Sequence, residues 1–412
     1  MRILHTSDWH LGRSFGDFNL LDEQRDFLDW LVATAEAEKA ELVVIAGDLH
    51  DRAVPPAAAV TLFSDAVRRL RAVGAEVVAI AGNHDSGERV DAFDGLVDAG
   101  GIVIRGGYRA ASTVTVREYS DGPLAIVALP FLEPLLAPIE TRQEILGAGT
   151  PRLSHEAVLA HAIGQADVDL PEGVRSLALA HAFVTGAAPS DSERELAVGD
   201  SGMVSADLFE PFDYVALGHL HRPQLVAESE HIRYSGSPLP YSFGERHQKV
   251  VVSIDLAPDG TVTAHEIPIE VGRPVATIHG SFDEILAGPA DEDSWIRVEL
   301  TDTAVIPDAH RALRTKFPWL VEIARVADSA PSGHRLTAAE VRSRPPAELV
   351  RDFWTEVSNA DASDAIAAVL DRAIHLAQGE DAEAQPFETV HPETVHPETV
   401  HPETVHPEAG AA

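Results

Sequence analysis

The stretch VVAIAGNHD, residues 77–85, joins a strand-length apolar run to a cluster of metal-ligand type. Val77 to Ala81 is apolar at every position, the pattern of a strand covered on both faces. Gly82 follows, where a missing Cβ lets the chain turn sharply and approach a bound phosphate closely. Asn83, His84 and Asp85 then present three polar side chains at the strand's carboxyl end. Four more stretches repeat the arrangement: ILHTSDWH (3–10), LVVIAGDLHD (42–51), LALAH (177–181) and YVALGHLH (214–221). In open α/β sheets the site lies off the carboxyl ends of the strands, so clusters more than 200 residues apart converge on one crevice. The i, i+2 spacing of Asp8 and His10, and of His219 and His221, turns each pair toward the same side.

Between these runs, Leu20, Phe27, Leu28, Leu31 and Ala35 share one helical face, and Phe63, Val67 and Leu70 share another. Alternating strands and helices over the first 220 residues predict a layered α/β domain. The stretch KVVVSIDLAPDGTVTAHEI, with Pro-Asp-Gly between two alternating runs, predicts a hairpin closing the sheet. This places a first domain at 1–271. A smaller α+β unit follows at 272–342, with strand-like WIRVEL and LVEIARV and one short helical stretch. At 343–378, Leu349, Val350, Phe353, Trp354 and Val357, then Ile366, Val369, Leu370 and Ala373, repeat at helical spacing, with Ser363 as N-cap of the second helix. These amphipathic helices either pack on their own domain or dock a partner helix, and a Trp and a Phe on one of them favour docking. The tail at 379–412 repeats ETVHP four times from Glu388, and proline at every fifth position predicts disorder rather than a helix.

Composition sets further bounds. With 31 Lys and Arg against 66 Asp and Glu, the net charge of −35 supplies no bulk positive field for nucleic acid or acidic membranes. Any attraction to DNA must be local. Cysteine is absent, which excludes disulfides, thiolate nucleophiles and cysteine-ligated metals. Lys39, Lys249 and Lys316 are the only lysines and none sits in a phosphate-binding P-loop. The start meets a charge at Asp8 before an apolar leader segment develops, and no apolar run reaches 18 residues, so a soluble cytoplasmic protein without a membrane segment is expected.

The order D-x-H, G-D, G-N-H-D, H, G-H-x-H resembles the calcineurin-like metallophosphoesterases over the first 220 residues. Within that superfamily HTSDWHLG, GDLHDRAVPP, GNHDSGER, ALPFLEP and YSGSPLPYSFGE resemble the SbcD family of double-strand-break repair nucleases, to about Ala377. The resemblance implies a sandwich of sheets flanked by helices, a small α+β capping domain that binds DNA, and C-terminal helices. It implies that Asp48 bridges two cations, with Asp8, His10 and His221 on one and Asn83, His181 and His219 on the other. Two cations roughly 3.5–4 Å apart hold a phosphodiester, neutralise its charge and activate water in line with the leaving oxygen. By the same resemblance His84 acts on the scissile phosphate or protonates the leaving alkoxide. Asp85 either orients His84 or caps a turn. Imidazole, carboxylate and amide donors admit Mn²⁺, Fe²⁺, Zn²⁺ or Co²⁺, and the resemblance implies manganese. Arg13, Arg52 and Arg89, which follow three of the motifs, are candidates for DNA phosphate contacts or else solvated surface residues. His50 and Asp51 are kept outside the core set.

The expected function is Mn²⁺-dependent DNA cleavage, exonucleolytic on duplex ends and endonucleolytic on single strands or hairpins, in repair and recombination. The implied partner is an SbcC-type coiled-coil ATPase at 343–378, in a heterotetramer built on a homodimer. Two other readings compete. A metallophosphoesterase acting on a cyclic nucleotide or other small phosphate ester sits more comfortably with the charge of −35. A non-catalytic scaffold has no use for so complete a set of ligands.

Overall fold

The computed structural model describes residues 1–92, 100–150, 152–188, 202–227, 229–302, 304, 306–325, 344–358 and 364–377. Two six-stranded sheets make up its larger part. In the first, the strand order is Val262–Pro268, Val250–Leu256, Arg2–Thr6, Leu42–Ala46, Glu76–Ile80, Ile102–Arg105. The last four run parallel, and the hairpin 250–268 adds two antiparallel strands at the edge beside Arg2–Thr6. In the second, the order is Gln224–Val226, Ser229–Tyr234, Tyr214–Gly218, Arg175–His181, Gly122–Leu129, Val114–Tyr119. Its four middle strands are parallel.

The continuous apolar runs are explained by where each face goes. Ile3, Leu42, Val44, Val78 and Ile80 face the other sheet and meet Leu124, Ile126, Leu177, Leu179 and Ala216 there. The alternate residues Leu4, Val43, Ile45, Val77 and Ala79 face outward onto Phe27, Leu28 and Leu31 of the helix Leu21–Glu38, and onto Leu62, Val67 and Leu70 of Ala57–Ala72. On the other side, Ala178, Ala180, Val215 and Leu217 lie under Val158, Leu159 and Ile163 of His155–Asp169. With period 2 in the strands and both faces covered, nearly every position is apolar, and a buried polar residue such as His5 needs partners, here the Tyr214 hydroxyl and the Leu217 carbonyl. Each fully buried Leu, Ile or Val stabilises this four-layer stack by roughly 1.5–3 kcal/mol.

Downstream, Val275–Gly280, Trp295–Leu300 and Leu320–Arg325 form a separate three-stranded parallel sheet. The WIRVEL and LVEIARV strands are present, and two helices accompany them where the sequence suggested one. The additional helix, Phe282–Ala287, starts at a capping box in which the Ser281 hydroxyl and the Glu284 carboxylate satisfy each other's backbone amides. Ile296, Val298, Leu300, Leu313 and Phe317 give this sheet its own small core. It meets the sandwich through aromatic rings: Phe15 and Phe18 pack on Trp295, and Arg273 stacks on Trp319 while pairing with Glu23.

The helices Pro346–Ser358 and Asp364–Ala377 belong to a second compact unit and pack on each other. Phe353 is 65% exposed and Val369 56% exposed. Ser363, the expected N-cap, and the ETVHP tail at 379–412 lie outside the described residues. Among the described residues no helix is long and apolar enough to cross a membrane.

Candidate metal centre

The parallel strands of both sheets end at a common rim. Register aligns Thr6 with Ile45 and Ala46 with Ile80 in the first sheet, and His181 with Gly218 in the second. The chain segments beyond the strand ends continue the pairing: Asp8 N donates to Gly47 O at 3.0 Å and His10 N to Asp48 O at 2.9 Å. Asp8, His10, Asp48 and His219 all have positive φ, at 53°, 44°, 49° and 104°. Left-handed backbone is rare for such residues and costs on the order of 1–3 kcal/mol each, so the surrounding structure must impose it. The i, i+2 pairs therefore converge for a different reason from simple strand alternation. A left-handed turn at Asp8 and His10 sends the intervening Trp9 into the core, where its ring packs edge-on against Phe27 and Phe63.

Two glycines make room for the neighbouring ligands rather than for a phosphate. A Cβ at Gly47 would lie 2.2 Å from Nδ1 of His181, and one at Gly82 would lie 2.1 Å from Oδ1 of Asp48. The first lets a side chain of the second sheet reach the rim of the first, and the second lets two neighbouring loops of one sheet close together.

The donor set is compact and dry. Asp8, His10, Asp48, His181, His219 and His221 are all at most 4% exposed. Nε2 of His10 and Nε2 of His221 face each other at 3.2 Å. Oδ2 of Asp48 lies 3.4 Å from Nε2 of His10 and 3.6 Å from Nε2 of His181, the intermediate position that a shared ligand needs. The Asn83 carbonyl oxygen sits 2.9 Å from Nε2 of His181 and 3.3 Å from Nδ1 of His219. Donor atoms of Asp8, His10 and His221 lie within 4.8 Å of one another, as do those of Asp8, Asp48 and His181, and those of His10, Asp48 and His84. Nδ1 of His10 is buried with no hydrogen-bond partner. Imidazole nitrogens and carboxylate oxygens crowded together in this way fit divalent cations of the first transition row.

Burial shapes the charge states. It holds His10 and His219 well below the ordinary histidine range, helped by neighbouring imidazoles, and brings His181 down to about 4. All three are neutral near pH 7, with lone pairs available. Burial pushes the Asp48 carboxyl up to about 7, a penalty that a nearby cation would reverse.

Residues 1–223 match the family model described as calcineurin-like phosphoesterase, and residues 271–358 match one described as Type 5 capsule protein repressor C-terminal domain. The SbcD component of nuclease SbcCD from Escherichia coli (strain K12) is 31% identical over 360 residues, covering 83% of this chain and 88% of that protein. The SbcD component of the same nuclease from Bacillus subtilis (strain 168) is 33% identical over 344 residues, covering 78% and 85%. The chain belongs to the SbcD family of calcineurin-like phosphoesterases. It is a metal-dependent phosphodiesterase. A solved dimetal phosphatase from Danio rerio aligns with 65% of this chain and 98% of its own, at 14% identity and a TM-score of 0.38.

Around the ligand cluster of this SbcD-family chain, His84 is half-buried. Its backbone N donates to Oδ1 of Asp48 at 2.9 Å, and its Nδ1 faces the Asp51 carbonyl at 2.9 Å. Of the two readings of Asp85, the contacts match a carboxylate that caps backbone amides and not one that orients His84. The Asp85 carboxylate accepts from the amides of Leu49, His50 and Gly82 at 2.9–3.0 Å and faces Nδ1 of His50 at 3.2 Å. Three amides from two loops claim that carboxylate, which staples the Asp48 loop to the Asn83 loop. Asp85 thus orients the backbone beside Asp48 and Asn83 rather than the His84 ring.

The three arginines differ. Arg13 pairs with Asp51 at 3.0 Å and lies over the Tyr241 ring, so its guanidinium is already engaged. Arg52 and Arg89 are exposed and line a cavity of about 250 Å³ together with His50, Asp85 and Ser86. His50 and Asp51 both join the surroundings of the site, through Asp85 and through Arg13 and His84.

Sequence reasoning missed Glu245, Tyr241 and Lys249. The Tyr241 hydroxyl donates to Trp9 O at 2.7 Å, and its ring stands edge-on to His10 and His221. Glu245 closes the YSGSPLPYSFGE stretch and reaches His221. The only signal was that stretch's glycine- and proline-rich composition, which predicts a loop but not where it folds.

Proposed function

We propose that this chain is the nuclease component of a DNA-repair complex. It hydrolyses phosphodiester bonds at a dinuclear centre, with exonuclease action on duplex ends and endonuclease action on single strands and hairpins. The convergence of Asp8, His10, Asp48, Asn83, His181, His219 and His221 from both sheets on one buried rim carries this reading. In it, Asp48 is shared by two cations, Asp8, His10 and His221 complete one site, and Asn83, His181 and His219 complete the other. Mn²⁺ is the assigned metal. Bound together, two such cations neutralise the phosphate and supply a nucleophile from water.

The protein's own part is orientation. The Ala46 carbonyl, 2.9 Å from Nδ1 of His181, accepts a hydrogen bond from Nδ1–H and leaves the lone pair on Nε2. The Asp51 carbonyl does the same for His84, which leaves Nε2 of His84 for the reacting groups in this reading. Protonated there, it donates to the scissile phosphate or the leaving oxygen. Arg52 and Arg89 supply the local positive potential that a chain of net charge −35 otherwise lacks. Residues 1–271 form the nuclease domain in this reading, 272–342 a DNA-binding cap, and 343–378 the docking element for an SbcC-type coiled-coil ATPase. The assembly is a cytoplasmic heterotetramer built on a homodimer. A chain without a P-loop suits a complex whose partner consumes ATP.

The test compares linear duplex and hairpin DNA with a small chromogenic phosphodiester, each with Mn²⁺ and with Mg²⁺. Cleavage of DNA with Mn²⁺ is the expected result. The charge of −35 favours a second reading, a small-ester phosphoesterase, and activity confined to the chromogenic ester would establish it.

A further inference from the structure

His221 is held more elaborately than the other histidines at the rim. Its Nδ1 faces Oε1 of Glu245 at 3.4 Å, a carboxylate whose side chain is fully buried. The same oxygen accepts from the Tyr241 amide at 3.2 Å, and Oε2 accepts from the Ser237 hydroxyl at 3.2 Å and from the Lys249 ammonium. Lys249 also donates to the His221 carbonyl at 3.3 Å and to the Ser237 hydroxyl at 2.9 Å. It therefore grips both the carboxylate and the backbone of the residue that the carboxylate orients. The other two lysines of the chain, Lys39 and Lys316, are not buried.

An ion pair in a dry interior loses more hydration than an apolar pair of the same volume, so stability alone does not account for it. His181 shows that a neutral carbonyl is enough to fix a tautomer. A carboxylate does more. It accepts a hydrogen bond from Nδ1–H and, held by three further donors of its own, fixes the direction of Nε2, the nitrogen that faces Nε2 of His10.

We propose that Glu245 is a positioning residue for one of the two cation sites: it sets the tautomer and aim of the His221 ring, with Lys249 as its fixed counter-ion. This rests on the reading that His221 holds a cation. The test is Mn²⁺ titration calorimetry on the full chain, comparing wild type, Glu245→Gln and the double variant Glu245→Gln/Lys249→Met. Glu245→Gln leaves Lys249 buried without its counter-ion, whereas the double variant carries no stranded charge and decides the matter if the single one does not fold. Wild type binding two ions is the starting point. Both variants are then expected to weaken one site by about 10–100-fold and to leave the other within about threefold. Wild-type affinities in either folded variant, recovery in the double variant, or equal weakening of both sites would each overturn the assignment. A wild-type chain that does not bind two ions overturns the cation reading itself, and this inference with it. Two-site wild type with unaffected variants overturns the inference alone.

Discussion

Replacing Gly82 by alanine tests the site with a single methyl group. The new Cβ would stand 2.1 Å from Oδ1 of Asp48, 2.3 Å from its backbone N and 2.7 Å from its Cγ, where ordinary contact begins at 3.4 Å. More than an ångström of separation must be found. Gly82 has no positive φ, so the conflict is purely steric, and one of the atoms in the way is backbone. Asp48 cannot retreat freely, because its Oδ1 accepts from His84 N at 2.9 Å and its carbonyl from His10 N at 2.9 Å. Overpacking of this kind costs about 1–3 kcal/mol of stability. Displacing a ligand by about 1 Å costs on the order of 10²-fold in rate. Gly164→Ala is the control: it lies within the helix His155–Asp169 with nothing inside 4 Å, and should stabilise by roughly 0.5–1 kcal/mol with the site unchanged. Chemical denaturation and Mn²⁺ titration of both variants read these quantities. Gly82→Ala with wild-type cation affinity and turnover would refute the packing argument.

Four further outcomes are expected. His84→Ala should lose about 10²–10⁴-fold in turnover while still binding Mn²⁺, because its contact with Asp48 is through the backbone; full activity would remove His84 from the chemistry. Burial raises the Asp48 carboxyl to about 7, so below that pH a proton competes with the cation, and apparent affinity should fall up to about tenfold per pH unit. His181, at about 4, adds no competition until far lower pH, and affinity that stays flat between about pH 5.5 and 7.5 would contradict the Asp48 shift. Arg52→Ala and Arg89→Ala should each weaken DNA binding at every sequence and lower the salt slope by about 1, measured by fluorescence anisotropy; an unchanged slope makes them ordinary surface residues. Removing residues 346–377 should end copurification with an SbcC-type ATPase while Mn²⁺ binding persists, and retained copurification would place docking elsewhere.

Local pattern carried the strands well and their partnership poorly. Leu42 to Ala46 and Leu177 to Ala180 look alike as sequences, yet they lie in different sheets, because which runs pair depends on contacts between distant segments. Only the family resemblance pointed to a sandwich. The strand Gly122–Leu129 runs into Pro130 and Phe131 with no metal-ligand side chain at its end, so only the family resemblance, through ALPFLEP, marked it. At the rim, the ligand-type residues are conspicuous as residue types after strand ends. Their left-handed backbone is not, since Asp8-Trp9-His10 is equally compatible with plain extended chain. For Asp85 the sequence left open a partnership with His84 or a turn cap, and three amides on two loops take its oxygens. Glu245 and Lys249 sit in a loop whose return to His221 no periodicity encodes.

The rim takes Asp8, His10, Asp48 and Asn83 from one sheet and His181, His219 and His221 from the other. On the proposed reading, a cation gripped from both sides would work as a clasp across the seam between the halves. Chelating agents should then do more than silence the enzyme: they should let the mouth of the sandwich breathe, with amide exchange quickening first at the strand ends. Metal supply in the cell would set the mechanical tightness of the molecule along with its activity.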